Sequence, residues 1–212
     1  MNRTWDVVVV GARVAGAAVA RLLAGAGLAV LCVERSPHGS DTLSTHGLMR
    51  GGVIQLARWQ LLESLHAAGT PAIRRTVFHY GADDVAVSIR AAGGVDALYA
   101  PRRTVLDPIL VDAATKAGAR FEFSGHVTGL TRDHAGTVTG VVITERGRRS
   151  SRVERAHLVV GADGRNSLVA AARPVPRRPQ PGGMPVSTCT ATGPICPPTA
   201  TSGSTPPALP PG

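Results

Sequence analysis

The sequence predicts an α/β protein: a parallel sheet built on a βαβ unit, followed by an antiparallel three-stranded β-meander. Three observations carry this. A β-branched run, Asp6-Val7-Val8-Val9-Val10, passes at once into Gly11-Ala12-Arg13-Val14-Ala15-Gly16 and a small-residue helical stretch, Ala17 to Ala26, closed by Gly27. A second apolar run, Ala29 to Val33, ends on Glu34. Between Val127 and Gly161, three strand-like runs are separated by turn residues, which is the pattern of antiparallel neighbours.

The first unit has the parts and the length of a Rossmann-like dinucleotide-binding element, about 30 residues in all. Gly11 allows the tight turn out of the strand, and Gly16, without a side chain, lets the helix approach the sheet. The helix N-terminus offers free N–H groups and the positive end of its dipole to a pyrophosphate. Glu34 follows Gly16 by 18 residues, where an acid accepts hydrogen bonds from ribose hydroxyls. Arg13 stands where the middle glycine of G-x-G-x-x-G is usual. Two readings are open: its side chain points away from the phosphates, or its guanidinium touches them.

After a polar loop over residues 36–49, Arg50-Gly51-Gly52 opens a helix expected to run from Val53 to Ala67, with Ile54, Leu61, Leu62 and Leu65 apolar and Gly69 and Pro71 ending it. Residues 76–99 alternate loosely around Gly81 and Gly93-Gly94, which predicts two or three short strands. Arg103 to Gly118 reads as a helix with Leu106, Ile109, Leu110 and Ala113 on one face. Strands follow at Phe121 to Phe123, Val127 to Leu130 and Val138 to Thr144, with turns at Asp133-His134-Ala135-Gly136 and Gly147. The third strand of the meander ends at Gly161, and Ala162-Asp163-Gly164 leads to a helix beginning at Ser167. An acid and a glycine at a strand end reach a ligand lying over the first glycine turn.

Hydrophobic residues make up 43% of the 212 and aromatics 3%, so the core must be built from Val, Leu and Ala. The net charge is +9, and Lys116 is the only lysine. The arginines are scattered in pairs such as Arg74-Arg75 and Arg148-Arg149 with no interleaved aromatics, which argues against nucleic acid as a partner. Arg13 and Arg21 interrupt the apolar residues 7–33, so neither a membrane span nor a targeting segment is expected there. Cys32 reads as a buried apolar thiol. With only Cys189 and Cys196 besides, no disulfide framework is expected, and a reducing, cytoplasmic setting is. No metal is expected.

Three stretches in order resemble the p-hydroxybenzoate-hydroxylase-like FAD-dependent monooxygenases and the related geranylgeranyl-reductase-like flavoproteins. They are Gly11 to Gly16 with Glu34, Arg103-x-x-Leu106-Asp107-x-x-Leu110, and Gly161-Ala162-Asp163-Gly164-x-x-Ser167. Arg50-Gly51-Gly52-Val53 is similar to the family's R-x-G-V helix opening. The resemblance covers roughly residues 5–170 and implies a Rossmann-like FAD-binding domain over 1–173, with 76–99 as a strand insertion belonging to a substrate domain. It implies that Gly11, Ala12, Arg13, Ala15 and Gly16 wrap the FAD pyrophosphate and that Glu34, with Arg35 beside it, holds the ADP ribose. It places Arg50 near the pyrophosphate and the nicotinamide cofactor, Arg103 toward the flavin, the Val127 backbone at the adenine, and Asp163 and Gly164 near the pyrophosphate. The chemistry is then the flavin's: NAD(P)H supplies electrons and a small organic, aromatic substrate is hydroxylated. No protein nucleophile is required, and His46 and His79 are expected to be packing or surface residues.

Two features depart from the family. Ala170 and Ala171 stand where an arginine usually follows the serine. Residues 174–212 hold 12 of the 16 prolines, and no charge follows Arg178. That composition predicts a disordered tail. It is either a Pro/Thr-rich linker or out-of-frame coding that truncates the domain, and the abrupt loss of charge favours the latter. The family's second flavin motif, Gly-Asp, is not found, so weak or no hydroxylation by this chain alone is expected. Besides a monooxygenase, a geranylgeranyl-type reductase and a non-catalytic remnant remain as readings, and the oligomeric state is open.

Overall fold

The computed structural model describes residues 4–42, 47–145 and 150–172. His46, the turn at Gly147, and the tail with Cys189 and Cys196 lie outside the described residues. Everything described belongs to one compact unit, residues 1–179.

Strand β1 (Thr4–Val10) is followed by helix α1 (Val14–Gly25) and strand β2 (Val30–Glu34). β1 is nearly all buried, with Val8 and Val9 at 0% exposure. That suits a central parallel strand covered on both faces. It pairs in parallel with β2 through Val7↔Val30 to Val10↔Val33. On its other edge it pairs in parallel with β10 (Ser151–Gly161), Val7↔Leu158 to Val10↔Gly161. β7 (Arg120–Phe123) adds a fourth parallel strand beside β2.

The meander consists of β8 (Gly125–Arg132), β9 (Val138–Glu145) and β10, all antiparallel. It is continuous with the parallel sheet, giving the order β7-β2-β1-β10-β9-β8. β10 divides its length between two partners: Ser151 to Arg155 pair with β9, and Arg155 to Gly161 pair with β1. At the hand-over, Gly140 lies opposite Arg155. A Cβ on Gly140 would stand 2.3 Å from the Glu154 carbonyl oxygen, so only glycine fits against the turning strand.

Alternation along β1 separates two cores. Val7 and Val9 face the helical side with Ala20, Ala24 and Cys32. Val8 and Val10 face the meander side with Val127, Val141 and Ile143. Helix α4 (Arg103–Lys116) packs beside α1 and buries Leu106, Leu110, Val111 and Ala114. Ile109 and Ala113, expected on the same face, are half-buried.

The helix expected from Val53 to Ala67 is two helices, α2 (Arg50–Arg58) and α3 (Leu62–Ala67). Gln60 takes a left-handed φ of 60° between them. At 3.6 residues per turn, Leu56 and Leu65 would fall on opposite faces of one straight helix. The break lets both enter the same core. Residues 72–99 form β3 (Ala72–Ile73) paired with β6 (Leu98–Tyr99), and a separate hairpin of β4 (Arg75–Tyr80) and β5 (Asp83–Ser88). His79 is exposed on that hairpin and hydrogen-bonds Asp84.

Candidate cofactor site

The two strand-end turns meet backbone to backbone. Gly11 has a φ of 98° and donates its N–H to the Val33 carbonyl at 2.7 Å. A Cβ there would stand 2.5 Å from the Ala162 carbonyl oxygen, and Ala162 donates its N–H to Val10 at 2.8 Å. Both turns sit at C-terminal ends of neighbouring parallel strands, where open α/β sheets bind ligands.

Between and beside them lies a cavity of about 460 Å³. Of the residues the sequence singles out, Gly11, Arg13, Glu34, Arg35, Arg103, Val127, Asp163 and Gly164 line it. Ala12 is buried behind the turn and Gly16 beneath it, while Ala15 is exposed on α1. Arg50 is not among the lining residues: its Nη2 donates to the Arg90 carbonyl at 2.6 Å.

Glu34 is 6% exposed, yet its carboxylate is well satisfied. One oxygen accepts from the Ala12 N–H and the other from the Ser36 N–H, each at 2.9 Å. A carboxylate has about four acceptor positions, so half remain for a diol lying in the cavity. Asp163 is likewise occupied: the Ser167 hydroxyl donates to it at 2.6 Å and the Leu168 N–H at 2.7 Å. Ser167 in turn caps α5 (Leu168–Ala171), its Oγ accepting the Ala170 N–H at 2.9 Å, so Asp163 ties the second turn to that cap.

Arg13 does not lie flat along the turn. Its Nη1 donates to Asp107 Oδ2 at 3.0 Å and to the Ser40 carbonyl at 2.9 Å, and its Nη2 reaches Ser40 Oγ at 3.1 Å. Asp107 also receives Arg103 in a fork, Nε to Oδ1 at 2.8 Å and Nη2 to Oδ2 at 2.9 Å. Next to this cluster, Arg102 bridges to Asp41. The loop after β2 is therefore tied to α4 directly through Asp41 and Arg102, and indirectly from Ser40 through Arg13 to Asp107.

Cys32 lies under the first turn and donates to the Gly11 carbonyl at 3.4 Å. Burial first, then the charge of Glu34, pushes its thiol well above the ordinary range. It stays protonated and inert. Among the described residues there is no cluster of side chains suited to a metal ion, and no helix is long and apolar enough to cross a membrane.

Several lining residues escaped the sequence reading: Thr42, His126, Arg165 and Asn166. The last two directly follow Asp163-Gly164 and His126 precedes Val127, so proximity to a motif was the available signal. Asp107 was visible within the Arg103-x-x-Leu106-Asp107 pattern, but its ion pair with Arg13 was not.

The residues present suit a dinucleotide. Glycines leave the turn open, Glu34 keeps acceptor capacity, and the cationic residues Arg13, Arg35, Arg103 and Arg165 are among those that line the cavity. Comparison with known proteins agrees. The family model described as FAD binding domain matches residues 4–193. The chain is 31% identical over 173 residues to the probable electron transfer flavoprotein-quinone oxidoreductase YdiS of Escherichia coli, covering 78% of this chain and 38% of that one. It is 31% identical over 171 residues to digeranylgeranylglycerophospholipid reductase 2 of Methanopyrus kandleri, covering 78% and 39%. The crystal structure of PqsL, a probable FAD-dependent monooxygenase from Pseudomonas aeruginosa, superposes with a TM-score of 0.68 at 21% identity, over 84% of this chain and 48% of that one. The chain thus spans about two fifths of the length of the curated relatives it matches. On its two touching turns, its buried acid at the end of β2 and the family match over most of its length, this chain belongs to the FAD-binding domain family.

Proposed function

We propose that this chain is the FAD-holding part of a flavin-dependent oxidoreductase. The observation that carries the reading is the back-to-back contact of Gly11 with Ala162, which sets Glu34, Arg103 and Asp163 around one cavity. In this reading the N-terminal N–H groups of α1 hold the pyrophosphate and Arg103 lies toward the flavin. Glu34 accepts from the ribose hydroxyls with the lone pairs that Ala12 and Ser36 leave free. The backbone around Val127 flanks the adenine. Asp163 keeps the second turn in place by accepting from the Ser167 hydroxyl and the Leu168 N–H. Bound flavin would supply the redox chemistry, taking electrons from NAD(P)H.

For the whole reaction we propose oxygen-dependent hydroxylation of a small organic substrate, in keeping with the Arg103 helix and the Asp163-Gly164 turn. The 31% identity to a protein named digeranylgeranylglycerophospholipid reductase favours a second reading, saturation of an isolated double bond. The two separate under nitrogen, because only the reductase turns over without oxygen.

The test is direct. Residues 1–212 are purified with FAD, free cofactor is removed, and the visible spectrum is recorded. A stoichiometric oxidised-flavin band is expected. A folded but colourless protein would overturn the reading.

A further inference from the structure

Arg13 occupies the position where glycine normally lets the backbone close on a pyrophosphate. Its side chain does not simply avoid the site. It reaches Asp107, 94 residues away, and the same carboxylate oxygen that receives Arg13 also receives Nη2 of Arg103. Asp107 is 6% exposed, so the two guanidiniums share one buried anion. Arg103 is nearly buried as well, at 15% side-chain exposure, yet it still lines the cavity. A fork bonded at both Nε and Nη2 has little rotational freedom left. The further bonds of Arg13 to Ser40 fix the loop after β2 to the same carboxylate.

We propose that Arg13 is a positioning residue. Through Asp107 it holds Arg103 at the wall of the cofactor cavity, and so supplies by a side-chain clamp some of the order that glycine at this position supplies by close backbone approach. The inference rests on the proposed FAD-binding function, and it has an unusual corollary. Restoring the glycine of G-x-G-x-x-G should weaken dinucleotide binding rather than strengthen it.

The experiment is a double-mutant cycle with Arg13→Gly and Arg103→Gln, read as the FAD dissociation constant by flavin fluorescence. Alongside it, the exchange rate of the Arg103 Nε–H is read by NMR in the cofactor-free chain. Arg13→Gly is expected to weaken FAD binding roughly tenfold. In the Arg103→Gln background it should change binding less than about twofold, because its effect passes through Arg103. The Arg103 Nε–H should exchange slowly in the wild type and fast in Arg13→Gly. Unchanged or tighter binding, additive losses, or an unchanged Arg103 exchange rate would each overturn the proposal. If the wild type binds no FAD, the functional reading fails, and the exchange rate still decides whether Arg13 positions Arg103. Should Arg13→Gly not fold, Arg13→Gln keeps the packing of the stem and serves in its place.

Discussion

The carbonyl oxygen of Gly11 faces Gly16 so closely that a Cβ on Gly16 would stand 1.7 Å from it. No rotamer relieves such a contact, because the obstacle is backbone in a turn already at φ 98° and already pressed on Ala162. The first turn of α1 and the glycine turn are one packed object.

Gly16→Ala is therefore expected to force the turn apart. The cost in stability should be about 1–3 kcal/mol or more, with loss of FAD binding. Gly25→Ala in the same helix is the control: nothing lies within 4 Å of its added Cβ, so it should be neutral or stabilise by up to about 1 kcal/mol. Urea unfolding of the two variants, with and without FAD, checks both. Equal midpoints would contradict the packing argument.

Glu34→Gln tests the acid at the end of β2. Both oxygens of Glu34 accept backbone N–H groups. An amide offers only one oxygen, and its NH₂ would face the N–H of Ala12 or Ser36. A buried donor left without an acceptor costs about 1–3 kcal/mol. Denaturant titration should show that loss in the cofactor-free chain, and isothermal titration with ADP should show weaker binding. Unaltered stability would mean that these two hydrogen bonds contribute nothing.

Asp41 carries a pH dependence whose sign can be worked out. The hydrogen bond from Arg102, and then that from the Thr42 N–H, hold its carboxyl below the usual range. A lowered folded-state value means the tether is fully present above the ordinary Asp pKa and is lost as pH falls through the lowered one. An NMR titration of the Asp41 carboxyl should give a midpoint below that in the unfolded chain, and Arg102→Gln should bring it back. Since Asp41 is exposed, 1 M salt should shrink the difference. A midpoint indifferent to Arg102→Gln would contradict the tether.

How far the sequence could be read depended on how local each interaction was. β1, the Gly11 turn, α1, β2 and Glu34 follow one another within 31 residues, and each carries a residue-type signal, so this unit was legible whole. The split between α2 and α3 was not. Gln60 has no preference for a left-handed backbone, and the break answers to a core shared by Leu56 and Leu65. The partner of Arg13 was equally hidden. Arg13 pairs with a carboxylate on another helix, and nothing near Arg13 in the chain points to it. The joining of the meander to the parallel sheet through β10 belongs to the same class, since strand register between distant segments leaves no local trace.

That shared strand also orders events as the chain is made. β1 finds β2 after some two dozen residues, but its other edge waits for β10, whose Arg155 pairs with Thr4. A chain emerging from the ribosome thus carries an open edge on its first strand until residue 161 is out. Pairings of such separation form slowly and leave unpaired strands exposed meanwhile. The cavity closes only when Ala162 meets Gly11, so under the proposed function a growing chain would capture a dinucleotide only after residue 162 is made. Ligand capture would then report that β1 and β10 have found each other.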